Sequence, residues 1–247
     1  MKKLIISLTA LAVTAAFANA TVIYDCMSGV TSYTTSTSNP GYLMGDGATA
    51  IAPTANPTDH FEITSIDFGL FVLGAQSFAS GQLVAKIDVF SSYNPSAVAP
   101  TSVNGTLAGT AFYAFGAITT TGNAAYAITG GALGTPIALP AGASTMGWTM
   151  GFYDGFTGAR ISTVRAAFTT TVLPTVGTSP AGFYRDNDDN GIIDSTDARF
   201  FSSSNPSDNM VIRFNGNDVS APVPEPASLA VLGLGALGML RRRRSSK

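Results

Sequence analysis

Apolar and polar residues alternate with a period of two along most of this chain, and that period predicts β-strands. From Gln82 to Ser91, Leu83, Ala85, Ile87 and Val89 fall on one side, and Lys86 and Asp88 fall on the other. Ser144 to Tyr153 repeats the pattern with larger side chains, Met146, Trp148, Met150 and Phe152 sharing one face. Trp148 is therefore expected in the core. Phe61 to Leu73 also alternates, but its phase slips: Phe61 and Ile63 point one way, and Ile66, Phe68 and Leu70 resume one residue out of step. A slip of one residue turns the buried face over, so a bulge is expected near Thr64-Ser65. Ala75 to Gly81 reads as the connection of a hairpin joining the first two of these runs in chain order, Phe61 to Leu73 and Gln82 to Ser91. Shorter β-branched or aromatic segments, at Thr21 to Met27, Thr110 to Ile118, Ala124 to Thr129, Thr135 to Leu139, Ile161 to Val172, Ala181 to Arg185 and Asn209 to Phe214, complete the strand set. Ser28 to Asp59 reads as a long loop, with a short strand near Tyr42 to Met44 and a turn at Gly45-Asp46-Gly47. No helical apolar pattern is long enough for a core helix. The expectation is an all-β fold, an antiparallel jelly-roll-like β-sandwich whose long loops cross between sheets. Pro206 to Phe214 should return the last strand to the first.

The two ends break this pattern. Lys2 and Lys3 precede an apolar run from Leu4 to Phe17, and Ala18-Asn19-Ala20 is a small-x-small cleavage site. These are the parts of a secretory signal peptide, with cleavage expected after Ala20. At the other end Val223-Pro224-Glu225-Pro226 precedes an uncharged run from Ala227 to Leu240, and Arg241, Arg242, Arg243 and Arg244 follow it. An apolar run closed by arginines is a stop-transfer pattern. The run is shorter than the ~20 apolar residues of a stable span, so it reads as a temporary anchor. This three-part tail resembles the PEP-CTERM sorting signal of Gram-negative bacteria. The resemblance implies that an exosortase-type membrane protease reads Val223 to Pro226 while the tail sits transiently in the inner membrane as a short hydrophobic helix. It further implies that the tail is removed and the protein delivered to the cell surface or an extracellular polysaccharide matrix. The expected organisation is thus a signal peptide at 1–20, a β-sandwich domain at 21–218 and a sorting signal at 219–247.

Setting the tails aside changes the charge. Residues 21–222 keep six basic residues (Lys86, Arg160, Arg165, Arg185, Arg199, Arg213) against 14 acids, a net charge of −8. Phosphate backbones demand lysine and arginine, so nucleic acid is excluded as a partner, whereas divalent cations suit this balance. Cys26 is the single cysteine, so no disulfide closes within the chain, and it is expected as a small buried hydrophobe.

One stretch has metal-ligand spacing: Asp186-Asn187-Asp188-Asp189-Asn190-Gly191-Ile192-Ile193-Asp194-Ser195-Thr196-Asp197. Calcium takes several hard oxygens from a sharply turning loop. With Asp186 as the first position, side-chain oxygens come from Asp186, Asp188, Asn190, Asp194 and Asp197. The glycine of the turn is Gly191, the Ile192 carbonyl is the main-chain donor, and Ile193 is expected to pack inward. The spacing resembles an EF-hand loop, and the closing aspartate resembles a dockerin-type repeat. The flanking segments do not read as helices, so the expected role of calcium is structural, tying a long loop to a sheet edge. Catalytic signals are weak. His60 is the single histidine and no G-x-S-x-G elbow is present, so a non-enzymatic, structural or adhesive role is expected. The alternative is a carbohydrate-binding module of the matrix, with Tyr33, Tyr42, Tyr93, Tyr153 and Phe156 in or near loops where sugars could stack. A secreted hydrolase using two of the aspartates is the third reading.

Overall fold

A computed structural model describes residues 20–35, 43–94, 105–180, 182–186, 188, 190–193, 197–200 and 208–220. The signal peptide other than Ala20, and residues 221–247 of the sorting signal, lie outside the described residues, while Val219 closes the last strand. Among the described residues sixteen strands run in chain order: β1 (Ala20–Asp25), β2 (Met44–Ala48), β3 (His60–Val72), β4 (Ala75–Phe78), β5 (Leu83–Phe90), β6 (Leu107–Ala114), β7 (Ile118–Thr121), β8 (Ala124–Ile128), β9 (Ala132–Ala138), β10 (Met146–Asp154), β11 (Val164–Ala166), β12 (Phe168–Thr169), β13 (Phe183–Arg185), β14 (Ala198–Phe200), β15 (Asn209–Met210) and β16 (Ile212–Val219). Two antiparallel sheets of six strands carry the fold, consistent with the expected β-sandwich.

The first sheet is built around β3, the longest strand. One edge of β3 pairs with β16 and then β11, and the other pairs with β9 and then β8; β1 lies outside β16. The second sheet runs β14-β13-β2-β10-β5-β6. The chain switches sheet between β1 and β2, between β2 and β3, and again between β9, β10 and β11. These are the crossing connections expected from the long loops. The last long strand, β16, does return to the first.

The core lies between the sheets. Met146, Trp148, Met150 and Phe152 of β10 are fully buried, as are Leu83, Ala85, Ile87 and Val89 of β5. The Trp148 ring stands 5.0 Å from Tyr24 and 5.1 Å from Phe214, bridging the two layers. Buried aromatics of this kind each remove a large apolar area from water. The phase slip in β3 also has its predicted cause. Ser65 pairs with Asn215 and Ile63 with Gly216, leaving Thr64 as the extra residue of a bulge.

Two local expectations are corrected. β3 and β5 do not form a hairpin: they lie in different sheets, and the segment between them makes β4, which pairs with β7. Gly45-Asp46-Gly47 is not a turn but the middle of a buried strand, β2. The Asp46 carboxylate is satisfied inside the protein by the main-chain N–H groups of Gly47 (2.7 Å) and Met210 (3.0 Å). Gly47 is needed for its lack of a side chain, since a Cβ there would lie 2.3 Å from the Tyr93 ring.

Candidate metal centre

The segment from Asp186 to Asp197 closes a β-hairpin. β13 lies beside β2 at the edge of the second sheet, and β14 pairs with β13 so that Arg185 stands opposite Ala198. That pairing sets the first and last positions of the loop, Asp186 and Asp197, next to one another. In an EF-hand two helices perform this closure; here a strand pair does it. Asp186 is fully buried, Asp197 is buried and Asp188 is exposed. One carboxylate oxygen from each of the three lies within 4.8 Å of the other two.

The turn between them is fixed by its own main chain. Asp186 accepts from the N–H of Asn190 (3.1 Å, Oδ1) and of Gly191 (2.8 Å, Oδ2). The Asn190 side chain accepts from the Ile192 N–H at 2.9 Å. Gly191 has φ +93°, a conformation that costs other residues energy. Ile193 packs against Tyr93 and Tyr184, as expected of the apolar position. Ile192 turns its side chain to solvent, which is compatible with a residue that offers only its carbonyl. Asp194 lies outside the described residues.

One partner of the loop carries no signal in the spacing. Arg160, far upstream and held by a bridge to Tyr153, places Nη1 3.0 Å from Asp186 Oδ2. Its guanidinium also fills the space where a side chain at Gly191 would stand. Only the scarcity of cations in residues 21–222 could have drawn attention to it. Three carboxylates that converge in this way offer a hard divalent cation one oxygen each. The residues present therefore fit a hard cation held by Asp186, Asp188 and Asp197, with Arg160 against the inner edge of the site.

The remaining candidates separate. His60 begins β3, with Nε2 3.8 Å from Glu62 Oε1. Among the loop aromatics, Tyr93 is buried against Tyr184, Tyr42 lies outside the described residues, Tyr33 and Tyr153 are half-buried, and Phe156 is exposed. The signal-cleavage residue Ala18 and the tail residues Val223 to Pro226 and Arg241 to Arg244 lie outside the described residues. Ala20 is the first residue of β1, paired with Asn217. Among the described residues no helix is long and apolar enough to cross a membrane.

Comparison with known families decides the tail. Residues 222–244 match the PEP-CTERM protein-sorting motif. This motif supports export through exosortase-type sorting to the cell surface. No curated protein and no solved structure matches the chain.

Proposed function

We propose that this exported chain is a non-enzymatic structural or adhesive protein of the cell surface or extracellular matrix, stabilised by calcium at the edge of its second sheet. The sorting motif carries the destination. The finer reading is supported by one observation: the hairpin β13–β14 closes a loop of calcium-type spacing so that Asp186, Asp188 and Asp197 converge. A cation there would join the two ends of the loop, Asp186 and Asp197, to Asp188, and Asp186 is itself anchored by its N–H to the Leu43 carbonyl at 3.0 Å. The ion would thus stiffen the sheet edge formed by β13 and β14.

Melting curves of the chain in calcium and in excess chelator test this reading. A ligand at one hundred times its Kd stabilises by ~2.7 kcal/mol, which for a domain of this size raises the midpoint by roughly 5–10 °C. The expected outcome is such a rise for the parent and none for Asp186→Ala combined with Asp188→Ala. Equal midpoints in calcium and chelator would remove the metal from the account.

A further inference from the structure

The outer face of the second sheet carries a groove of about 330 Å3, separate from the metal loop's carboxylates and lined by Val84 and Lys86 of β5, Phe112 of β6, and Tyr153 and Asp154 of β10. Its shape follows from the strand register. Lys86 pairs with Phe112 on one side and Gly151 on the other. Tyr153 leans back over Gly151, where a Cβ would meet its ring and hydroxyl at 3.1 Å. The two rings therefore flank Lys86 from strands about 10 Å apart, twice the inter-strand spacing.

Phe112 is 65% exposed, and among the described residues no packing accounts for an aromatic ring held in water at that position. Polar groups of both signs surround the rings. The Lys86 ammonium lies 2.8 Å from Asp88 Oδ2, and Thr110 donates to the other oxygen of Asp88. Asp154 is fixed at the groove's end by Gln82 and by the N–H groups of Phe156 and Thr157. A close approach locks this turn: a Cβ on Gly155 would lie 2.2 Å from the Gly81 carbonyl oxygen.

We infer that this groove binds a neutral polysaccharide, whose pyranose faces lie on Phe112 and Tyr153 and whose hydroxyls meet Lys86 and Asp154. Sugar rings present apolar C–H faces and polar edges, the combination that a ring platform rimmed by charged hydrogen-bonding groups accepts. The charge distribution selects a neutral ligand. Lys86 already faces Asp88, Asp154 adds a negative charge, and no charged residue occurs anywhere between Asp88 and Asp154 in the sequence. An acidic polymer would find no further cation along β6 to β9. This inference does not depend on calcium in the 186–197 loop.

Calorimetric titration of the full-length chain, in mild detergent, with hexasaccharides of glucose, galactose, mannose and N-acetylglucosamine tests it, with an oligouronate alongside. At least one neutral hexasaccharide should bind, and Phe112→Ala and Tyr153→Ala should each weaken that binding at least tenfold. Leu107→Ala, which trims another exposed apolar residue of β6 outside the groove, should leave it unchanged. Phe112 is on the surface, so its loss leaves the fold intact, and an unchanged melting curve checks this. Binding of no neutral probe would overturn the inference. So would binding indifferent to both rings, or binding of the oligouronate alone. Sedimentation showing that the chain self-associates through Phe112, with no glycan bound, would reassign the face to a second copy.

Discussion

At the scale of single residues, the acidic body has to place carboxylates inside a sheet with few cations. It does so with a cross-strand triad. Arg213 of β16 stands opposite Asp25 of β1 and Asp67 of β3, with Nε 3.3 Å from Asp25 and Nη1 3.6 Å from Asp67. Burial pushes the Asp25 carboxyl up, but hydrogen bonds from the Ser28 hydroxyl, the N–H groups of Met27 and Ser28, and the Thr175 hydroxyl hold it down to about 2. A depressed carboxylate contributes stability that is present above the ordinary range near 4 and is lost as pH falls through about 2. Asp25→Asn should therefore lower stability at pH 7 by on the order of 1–2 kcal/mol. The deficit should shrink between pH 4 and 2, as read from urea midpoints at each pH; a deficit that stays constant into acid would argue against an ionised Asp25. Cys26 shows the opposite effect. Burial, reinforced by the Asp46 carboxylate, pushes its thiol up to about 12, so it behaves as an apolar core residue.

At the scale of elements, single-residue irregularities decide which faces are buried. Thr64 is the clearest case. Because it is extra to the β16 register, Phe61 and Ile63 on one side of it and Ile66, Phe68 and Leu70 on the other all reach the core. Deleting Thr64 would put one of these groups on the wrong face. The deletion should abolish cooperative unfolding, while Thr64→Ala, which keeps the spacing, should shift stability by less than about 1 kcal/mol. Two-state urea unfolding of the deletion variant with near-parental stability would show that the bulge does not set the register. The hairpin β13–β14 follows the same logic: pairing at its base, not helices, brings the ends of the loop together.

At the scale of the whole molecule, the charge-poor sandwich and the tail serve different ends. Trp148, Tyr24 and Phe214 hold the two sheets together, and nothing in that core bears on export. Destination lies in the matched motif at 222–244. Its apolar run is too short for a stable span and is stopped by Arg241 to Arg244. Replacing Val223 to Pro226 with alanines should therefore leave the protein in the inner-membrane fraction with its tail attached. Normal release of the substituted chain would show that the proline motif is not read.

What the sequence determined by itself follows from local periodicity and from linear motifs. The period-two pattern assigned the core faces of β5 and β10 and located the Thr64 bulge, because side-chain direction in a strand depends only on position along it. The tail was legible because its message is linear and needs no fold. The aspartate spacing was legible for the same reason, and so was the inward Ile193. Tertiary structure decided the rest. Strand pairing between distant segments put β3 and β5 in different sheets and turned Gly45-Asp46-Gly47 from an apparent turn into a buried strand, since one of the two main-chain donors to Asp46 is Met210, remote in sequence. It brought Arg160 to Asp186, and it set Phe112 and Tyr153 on either side of Lys86. Those contacts join residues that no local pattern links, and only the folded register places them together.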